Sequence, residues 1–391
     1  WGPYLSERQW GTVREDYSTD GSAWEYFPHD HARSRVYRWG EDGIAGISDE
    51  YCNICFAVAL WNGKDPILKE RLFGLTGNQG NHAEDVKELY YYLENTPTHS
   101  YMKQLYKYSQ NEYPYEELIK ENQKRDRKEL EYEILDTGIF DGNAYFDVFT
   151  EYAKADSEDL LIQITITNRN TEAAPLSILP TLWIRNYWSF REIDPKPAIQ
   201  KQSKSKSHFV SISHSYVGNC NLYFEEADQL LFTENETNKE KLFGVKNDHS
   251  FKKDLFHDAV VNNDFSEACQ NQSGTKFSPL YQRNIGGGEQ VIIRLRLSKS
   301  AVENPFDEDF ETIFKARKSE SDIFYQALSA DISIDQAAIQ KQALAGLLWS
   351  KQYYNYDVDT WLEGDAKGPK PPVSRLRGRN CSWDKLRNHD I

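Results

Sequence analysis

Two segments in which apolar and polar residues alternate constrain the fold of this chain most strongly. Isoleucines alternate with polar residues over 161–167, and aliphatic residues alternate with Arg294 and Arg296 over 291–297. A period of two places the apolar side chains on one face of an extended chain. The pattern therefore predicts β-strands with one buried face, and the three glycines at 286–288 supply a break before the second strand.

Further strands and one helix are predicted on either side of these segments. The apolar runs 55–61 and 145–149 read as strands, and Asp141-Gly142 is a turn signal before the second run. The segment 114–128 predicts a helix, with proline near its first turn and a Glu121–Arg125 pair one turn apart. The polar segments 201–207 and 233–241 are interpreted as solvated loops between strands.

The pattern becomes helical near the carboxyl end. Apolar residues recur at helical spacing over 307–328, and Ser333 and Gln336 form a capping-box pattern before a helix over 337–354. One stripe of that helix carries Ile339, Ala343, Leu347 and Ser350, and a Gly/Pro/Lys linker follows at 364–372. Strands first and helices last predict a mainly β fold, a large β-sandwich followed by the start of an α-helical domain.

Composition narrows the classes of function. The formal charge of −15 argues against nucleic-acid and anionic-membrane partners, which need a basic surface. No apolar run reaches the roughly 18 to 20 residues that span a bilayer. The chain begins at Trp1 without a methionine or a signal-like segment, so we expect that the start of the gene is missing and that the protein is cytoplasmic.

Cysteine usage does not indicate a disulfide framework. The chain has 5 Cys, an odd and sparse number. Cys52 and Cys55 have the C-x-x-C spacing, but no second pair follows to complete a zinc site, and the pair adjoins an apolar run. We therefore interpret Cys52 and Cys55 as thiols buried in the core.

The densest polar cluster lies near the start of the chain, over 10–18, 28–33 and 38–43. It combines carboxylates, guanidiniums and indoles, which suit the recognition of sugar hydroxyls and of the apolar face of a pyranose. From the pattern alone, a web of structural ion pairs is an equal alternative. His29 and His31 could bind a metal, but no third ligand is placed beside them, so neither a metal nor a cofactor is predicted.

Longer strings in the same regions resemble a known family. They occupy 1–18, 27–35, 68–75, 84–88, 96–103 and 342–352, with shorter ones at Trp39-Gly40-Glu41-Asp42-Gly43, Asn81-His82, Tyr356-Asp357-Val358-Asp359 and Gly378-Arg379-Asn380. This sequence resembles the bacterial-type glucosidases of glycoside hydrolase family 63, which are related to mannosyl-oligosaccharide glucosidase. The resemblance is strong over 1–182 and from 336 onward, and loose over 201–275.

The resemblance implies an amino-terminal β-sandwich (1–305), a connecting helix (306–332) and the first part of a truncated (α/α)6 catalytic barrel (333–391). It also implies hydrolysis of α-glucosidic bonds in an oligosaccharide or glucosyl conjugate with inversion, by an acid and a base carried on the barrel. The segment bearing the barrel acid should follow residue 391, so no catalytic residue is assigned to this chain. The alternative is a free-standing carbohydrate-binding β-sandwich module.

The resemblance leaves substrate contact as the expected role of the amino-terminal cluster. The candidate substrate-binding residues are Arg14, Glu15, Asp16, His29, His31, Arg38, Trp39, Glu41 and Asp42. Self-association is also expected, because a barrel helix without its neighbours leaves the apolar residues around Leu347, Leu348 and Trp349 either exposed or packed on the sandwich.

Overall fold

The structure is a computed structural model of the chain. It describes residues 1–6, 18–19, 26, 28–37, 42–80, 85–126, 128–192, 195–202, 207–350, 356–367, 370–378 and 381–387. Within those ranges the strands are β1 (Gly2–Pro3), β2 (Ile44–Ser48), β3 (Ile54–Trp61), β4 (Gly74–Leu75), β5 (Asp85–Val86), β6 (Tyr90–Asn95), β7 (Tyr101–Ser109), β8 (Tyr145–Asp156), β9 (Asp159–Asn168), β10 (Ala174–Ile184), β11 (Ala198–Lys201), β12 (Phe209–His214), β13 (Gly218–Phe224), β14 (Gln229–Thr233), β15 (Ser273–Gly274), β16 (Lys276–Ile285) and β17 (Gln290–Ser298).

Helices are fewer and cluster toward the carboxyl end. They are α1 (His29–Ala32), α2 (Tyr115–Lys124), α3 (Lys239–Phe243), α4 (Leu255–Val261), α5 (Glu308–Leu328), α6 (Ile334–Trp349) and α7 (Val358–Glu363). Short 3-10 turns occur at Gly77–Gln79, Ile134–Thr137, Asp141–Asn143 and Val373–Arg377. In these ranges no helix is both long enough and apolar enough to cross a lipid bilayer.

Most strands belong to two antiparallel sheets. The described strands of the first sheet run in the order β1-β2-β3-β10-β16-β14, and those of the second in the order β15-β11-β12-β13-β17-β9-β8-β7-β6. We call them the six-stranded and the nine-stranded sheet. The two alternating segments of the sequence pair directly, since Ile164 of β9 lies opposite Ile293 of β17. The predicted mainly β fold is therefore confirmed.

The main core lies between the two sheets. On the six-stranded sheet it contains Phe56, Ile178 and Phe277, and on the nine-stranded sheet it contains Ile164 and Leu295. These residues alternate along each strand with side chains that point to the opposite face. The inner face of each sheet therefore packs in the main core, and other elements pack against the outer face.

Different layers cover the two outer faces. On the six-stranded sheet, Leu179 and Leu280 pack with Phe256 of α4. On the nine-stranded sheet, Tyr101 and Leu161 pack with Phe310 and Phe314 of α5. The outer face of the six-stranded sheet also carries buried charged groups, which form the candidate site described below.

The predicted elements mostly coincide with observed ones. The strand segments 55–61, 145–149, 161–167 and 291–297 fall inside β3, β8, β9 and β17. The predicted Glu121–Arg125 pair is wrong, because α2 ends at Lys124 and Arg125 has an extended backbone. The Arg125 side chain donates to the carbonyl of Leu130 instead. The segment 233–241 is only partly a solvated loop, since Asn235 and Asn238 are buried.

The turn between β16 and β17 requires glycine for close approach. A Cβ atom at Gly287 would lie 2.0 Å from the backbone oxygen of Thr171, far inside van der Waals contact. Gly288 has a φ of +74°, a left-handed conformation that glycine adopts without strain. The glycine run predicted as a break is therefore a tight turn packed on a neighbouring loop.

Helix α6 packs on the edge of the nine-stranded sheet through one side. Its capping box is confirmed, since the Ser333 and Gln336 side chains each accept from the other residue's backbone N–H. Trp349 is fully buried, stacks on Tyr92 with ring centroids 5.1 Å apart, and donates from Nε1 to the carbonyl of Glu94 at 3.0 Å. Leu347, on the stripe read from the sequence, is 72% exposed. The assignment of α6 to a barrel, and self-association through it, stay predictions.

Replacing Trp349 by alanine tests how α6 is held. We expect Trp349→Ala to lower the free energy of unfolding by about 3 to 5 kcal/mol, because a large buried side chain leaves a cavity behind. Urea denaturation followed by circular dichroism measures the change. Trp383, which is 61% exposed, provides the matched control, and Trp383→Ala should change stability little. Equal losses in the two variants would contradict this account of α6.

Candidate functional site

A group of buried charged side chains lies on the outer face of the six-stranded sheet. It consists of Asp42, Glu70, Arg71, Lys253 and Lys276, and we call it the Asp42 cluster. The exposed fraction of each of these five side chains is 9% or less. Buried charges are stable only when they are paired and hydrogen-bonded. The contacts within the cluster therefore decide whether this part of the chain can fold.

Asp42 lies at the centre of the cluster. Its Oδ2 is 2.7 Å from Nζ of Lys253, and its Oδ1 accepts from the Tyr37 hydroxyl at 2.5 Å and from Arg71 at 3.4 Å. The backbone carbonyl of Asp42 accepts from the Tyr4 hydroxyl at 2.7 Å. One carboxylate therefore joins segments that lie more than 200 residues apart in the chain.

Burial and neighbouring charges act in opposite directions on Asp42. Burial alone would raise the pKa of this carboxyl group. The ammonium of Lys253 and the guanidinium of Arg71, with the hydrogen bonds from Lys253 and Tyr37, outweigh it and hold the pKa below its ordinary value. Asp42 is thus a charged anchor and is poorly suited to supply a proton near neutral pH.

Glu70 and Lys276 form the second ion pair of the cluster. Nζ of Lys276 donates to Oε2 of Glu70 at 2.7 Å and to the backbone carbonyl of Lys253 at 3.2 Å. Lys276 begins β16, where Phe277 points into the main core and the lysine points to the outer face. Strand alternation therefore places this ammonium beside Glu70.

Gly43 allows Asp42 to lie against the sheet. Its φ is +126°, and a Cβ atom there would lie 2.1 Å from Cβ of Ala57 on β3. A larger residue would force the backbone away from the strand. The Asp42-Gly43 pair is therefore fixed by close contact with the sheet as well as by charge.

A small cavity adjoins the cluster. It has a volume of about 20 Å³ and is bordered by Asp42, Glu70, Lys253 and Lys276 together with Trp183 of β10. A volume of this size holds about one water molecule, whereas ligand pockets usually measure roughly 300 to 1,000 Å³. The cavity can therefore hold a single small group but not a pyranose ring.

His29 is held next to the cluster in an aromatic environment. Its ring lies 5.1 Å from the ring of Phe73 and 5.6 Å from that of Tyr115, and its backbone carbonyl accepts from Arg71 at 2.7 Å. Burial, followed by the positive charges of Arg71 and Lys69, lowers the pKa of His29 well below its ordinary value. His29 is consequently neutral at physiological pH and packs as an aromatic residue.

Three of the predicted substrate-binding residues lie in the described part of the chain. They are His29, His31 and Asp42. Arg71 donates to both His29 and Asp42, whereas His31 is exposed on α1. The other six predicted residues, which are Arg14, Glu15, Asp16, Arg38, Trp39 and Glu41, lie outside the described residues. Sequence reasoning nominated Asp42 but missed its buried partners. Glu70 and Arg71 stood in a resembling string, and no sequence pattern marked Lys253 or Lys276.

The described residues bear on two interpretations of the sequence: a metal site at His29 and His31, and buried core thiols at Cys52 and Cys55. Within the described ranges, no group of three or more His, Cys, Asp and Glu residues is arranged to hold a metal ion. Cys52 and Cys55 are buried and neither forms a disulfide, so their interpretation as core thiols is confirmed. The Cys52 thiol contacts the Ser48 hydroxyl at 3.3 Å.

A second histidine, His257 of α4, links the layer above the sheet to the 68–72 segment. Its Nδ1 accepts from the backbone N–H of Leu68 at 3.2 Å, and its Nε2 lies 3.4 Å from Arg33. Burial, followed by the charge of Arg33, lowers its pKa to about 4. The imidazole ring of His257 is therefore neutral in the folded protein at physiological pH.

Three of the strings singled out in the sequence lie near one another in the structure. Tyr356 and Val358 pack with Ala32 and Tyr37 in one apolar cluster that includes Trp361. Lys253 donates to the carbonyls of Ala32 at 3.0 Å and of Arg35 at 3.3 Å. The strings 27–35 and 68–75 therefore contact or contribute to the Asp42 cluster, and 356–359 is joined to it through Tyr37, although the three strings are far apart in the sequence.

Comparison with known proteins gives one strong sequence match. No protein-family model matches the chain. The uncharacterized protein YMR196W of Saccharomyces cerevisiae is 43% identical over 437 residues, an alignment that covers 100% of this chain. The chain spans 40% of the length of that relative.

Two of the similar solved structures are distant carbohydrate-active enzymes. A polysaccharide lyase has a TM-score of 0.28 and 8% identity, covering 67% of this chain and 27% of its own. A putative kojibiose phosphorylase from the human microbiome has a TM-score of 0.27 and 7% identity, covering 88% of this chain and 37% of its own. Similarity at this level does not define a shared fold.

Neutralising Asp42 tests the importance of the cluster. We expect Asp42→Asn to lower the free energy of unfolding by about 3 to 5 kcal/mol, because Lys253 and Arg71 would remain buried without their carboxylate. Asp248, whose side chain is 70% exposed and paired with Lys239, is the matched control. Asp248→Asn should cost less than about 1 kcal/mol. Comparable urea midpoints for the two variants would show that the Asp42 pair is dispensable.

The low pKa of His257 predicts a pH dependence of stability. The unfolded chain binds a proton near pH 6.5, but the folded chain does so only near pH 4. Stability from this residue is therefore present above pH 6.5 and decreases by up to roughly 3 kcal/mol as pH falls toward 4. We expect His257→Gln to flatten that decrease in urea titrations between pH 7 and 4. His208→Gln, at an exposed histidine, should retain the slope, and an unchanged slope in His257→Gln would refute the assignment.

Proposed function

We propose that this chain is the non-catalytic β-sandwich part of an inverting α-glucosidase that acts on an oligosaccharide or a glucosyl conjugate. The observation that carries the proposal is the meeting of the resembling strings around the Asp42 cluster. Chance similarities would be scattered over the structure, whereas segments with a common structural role would lie close together. The two-sheet architecture followed by α5 and α6 also supports it.

The role proposed for the cluster is to hold the amino-terminal segments in place. Hydrolysis with inversion needs an acid and a base about 6.5 to 9.5 Å apart with room for a water and a sugar between them. Asp42 and Glu70 are each bound to a buried ammonium, and the cavity beside them is too small for a sugar ring. We propose that they hold the described residues 29–37 in place, that the segments 14–16 and 29–42 contact the substrate, and that catalytic carboxylates belong to a longer protein.

The proposal predicts different behaviour for this chain and for its longer yeast relative. With a panel of α-linked glucose disaccharides, we expect the relative to release glucose and this chain to release none. Proton NMR during turnover should show β-glucose as the first anomer, as inversion of an α-glucoside requires. Release of glucose by this chain alone would contradict its non-catalytic role. A relative without turnover would contradict the glucosidase assignment.

The binding contribution of this chain is measured on the isolated protein by calorimetry. We expect His31→Ala to weaken disaccharide binding about fivefold, the effect of one lost hydrogen bond. His208→Ala changes another exposed histidine outside the proposed contact segments and serves as the matched control. Equal affinities for the two variants would remove His31 from the proposed contact. Binding by this chain without turnover by the relative would favour a carbohydrate-binding module.

A further inference from the structure

The small cavity beside the Asp42 cluster contains two polar atoms whose hydrogen-bonding capacity is unused. Oε1 of Glu70 and Nε1 of Trp183 are both buried, and neither has a hydrogen-bond partner within the described ranges. Both residues border the cavity. Leaving such an atom unsatisfied costs roughly 1 to 3 kcal/mol, so two of them beside one cavity indicate a missing partner.

Oδ2 of Asp42 is a third buried polar atom without a directed hydrogen bond among the described residues, but the ammonium of Lys253 lies 2.7 Å away as its ion-pair partner. Other polar groups of the cavity wall have hydrogen-bond partners. The second oxygen of Glu70 accepts from Lys276 at 2.7 Å, and Nζ of Lys253 lies 2.7 Å from Asp42. The Thr181 hydroxyl donates to the carbonyl of Leu179 at 3.0 Å. The demand for a partner is therefore concentrated on Glu70 and Trp183.

The chemistry of these two atoms specifies the occupant. An indole N–H can only donate, and a carboxylate oxygen can only accept. A single group that satisfies both must accept from Trp183 and donate to Glu70, and a hydroxyl group does so. A cation is disfavoured by the ammonium groups of Lys253 and Lys276, and an anion is disfavoured by the unpaired oxygen of Glu70.

We propose that this cavity binds one hydroxyl group, which donates to Oε1 of Glu70 and accepts from Nε1 of Trp183. Its volume of about 20 Å³ admits one group the size of a water molecule. An internal water fills it completely, whereas a sugar inserts only one of its hydroxyls. The sugar source rests on the proposed function, and the water source does not.

NMR of protein labelled with nitrogen-15 at tryptophan tests the proposal. We expect the indole proton of Trp183 to show a nuclear Overhauser effect to a long-lived water, with its resonance identified by its loss in Trp183→Phe. Trp383→Phe changes an exposed indole and should leave that signal intact. If Trp183→Phe does not fold, triple-resonance assignment of the unmodified protein identifies the proton.

Addition of an α-linked glucose disaccharide distinguishes the two sources. An unchanged water signal assigns the site to internal water, whereas its loss together with a shift of the Trp183 resonance assigns it to a sugar hydroxyl. The absence of both a water signal and a response to sugar would overturn the proposal. That result leaves the glucosidase assays unaffected, and absent turnover in those assays leaves the water signal unaffected.

Discussion

The pairing of Asp42 with Lys253 and Arg71 is the contact on which the outer layer of the six-stranded sheet depends. Each buried charge needs a partner of opposite sign, because leaving one unpaired costs several kcal/mol. Asp42 precedes β2, Arg71 lies between β3 and β4, and Lys253 precedes α4. Satisfying one carboxylate therefore fixes three distant segments at once, and further packing builds on that arrangement.

Charge pairing is repeated through this layer and distinguishes it from the main core. Lys276 pairs with Glu70, and Lys69 pairs with Glu88 at 2.8 Å while its ammonium lies 3.6 Å from the ring centroid of Tyr113. The interface between the two sheets, by contrast, is built from aliphatic and aromatic side chains. Apolar contact is tolerant of small displacements, whereas a buried ion pair accepts few alternative arrangements. The sandwich core supplies stability, and the charged layer fixes the positions of the loops that cover it.

Features that depend on local sequence patterns, such as strands and helix starts, could be predicted. Ion pairs between residues far apart in the chain could not. Alternation over 161–167 and 291–297 located β9 and β17 because one face of each strand is buried, and Ser333 with Gln336 located the start of α6 because capping is local. The Glu121–Arg125 pair failed because α2 ends at Lys124, one residue before Arg125, whose backbone is extended. Lys253 and Lys276 could not be predicted, since their partners lie at Asp42 and Glu70, more than 200 residues away.

The state of its carboxylates argues that the Asp42 cluster positions segments and does not perform acid–base chemistry. A general acid or base must reach substrate and exchange a proton near the working pH. Asp42 is enclosed by Tyr37, Arg71 and Lys253, which hold its pKa below its ordinary value, and Glu70 is tied to Lys276. One oxygen of Glu70 has no hydrogen-bond partner among the described residues, and the cavity that Glu70 borders has room for about one water molecule. The enclosure of Asp42 and the ion pair of Glu70 therefore argue against these two residues as the carboxylate pair of an inverting hydrolase.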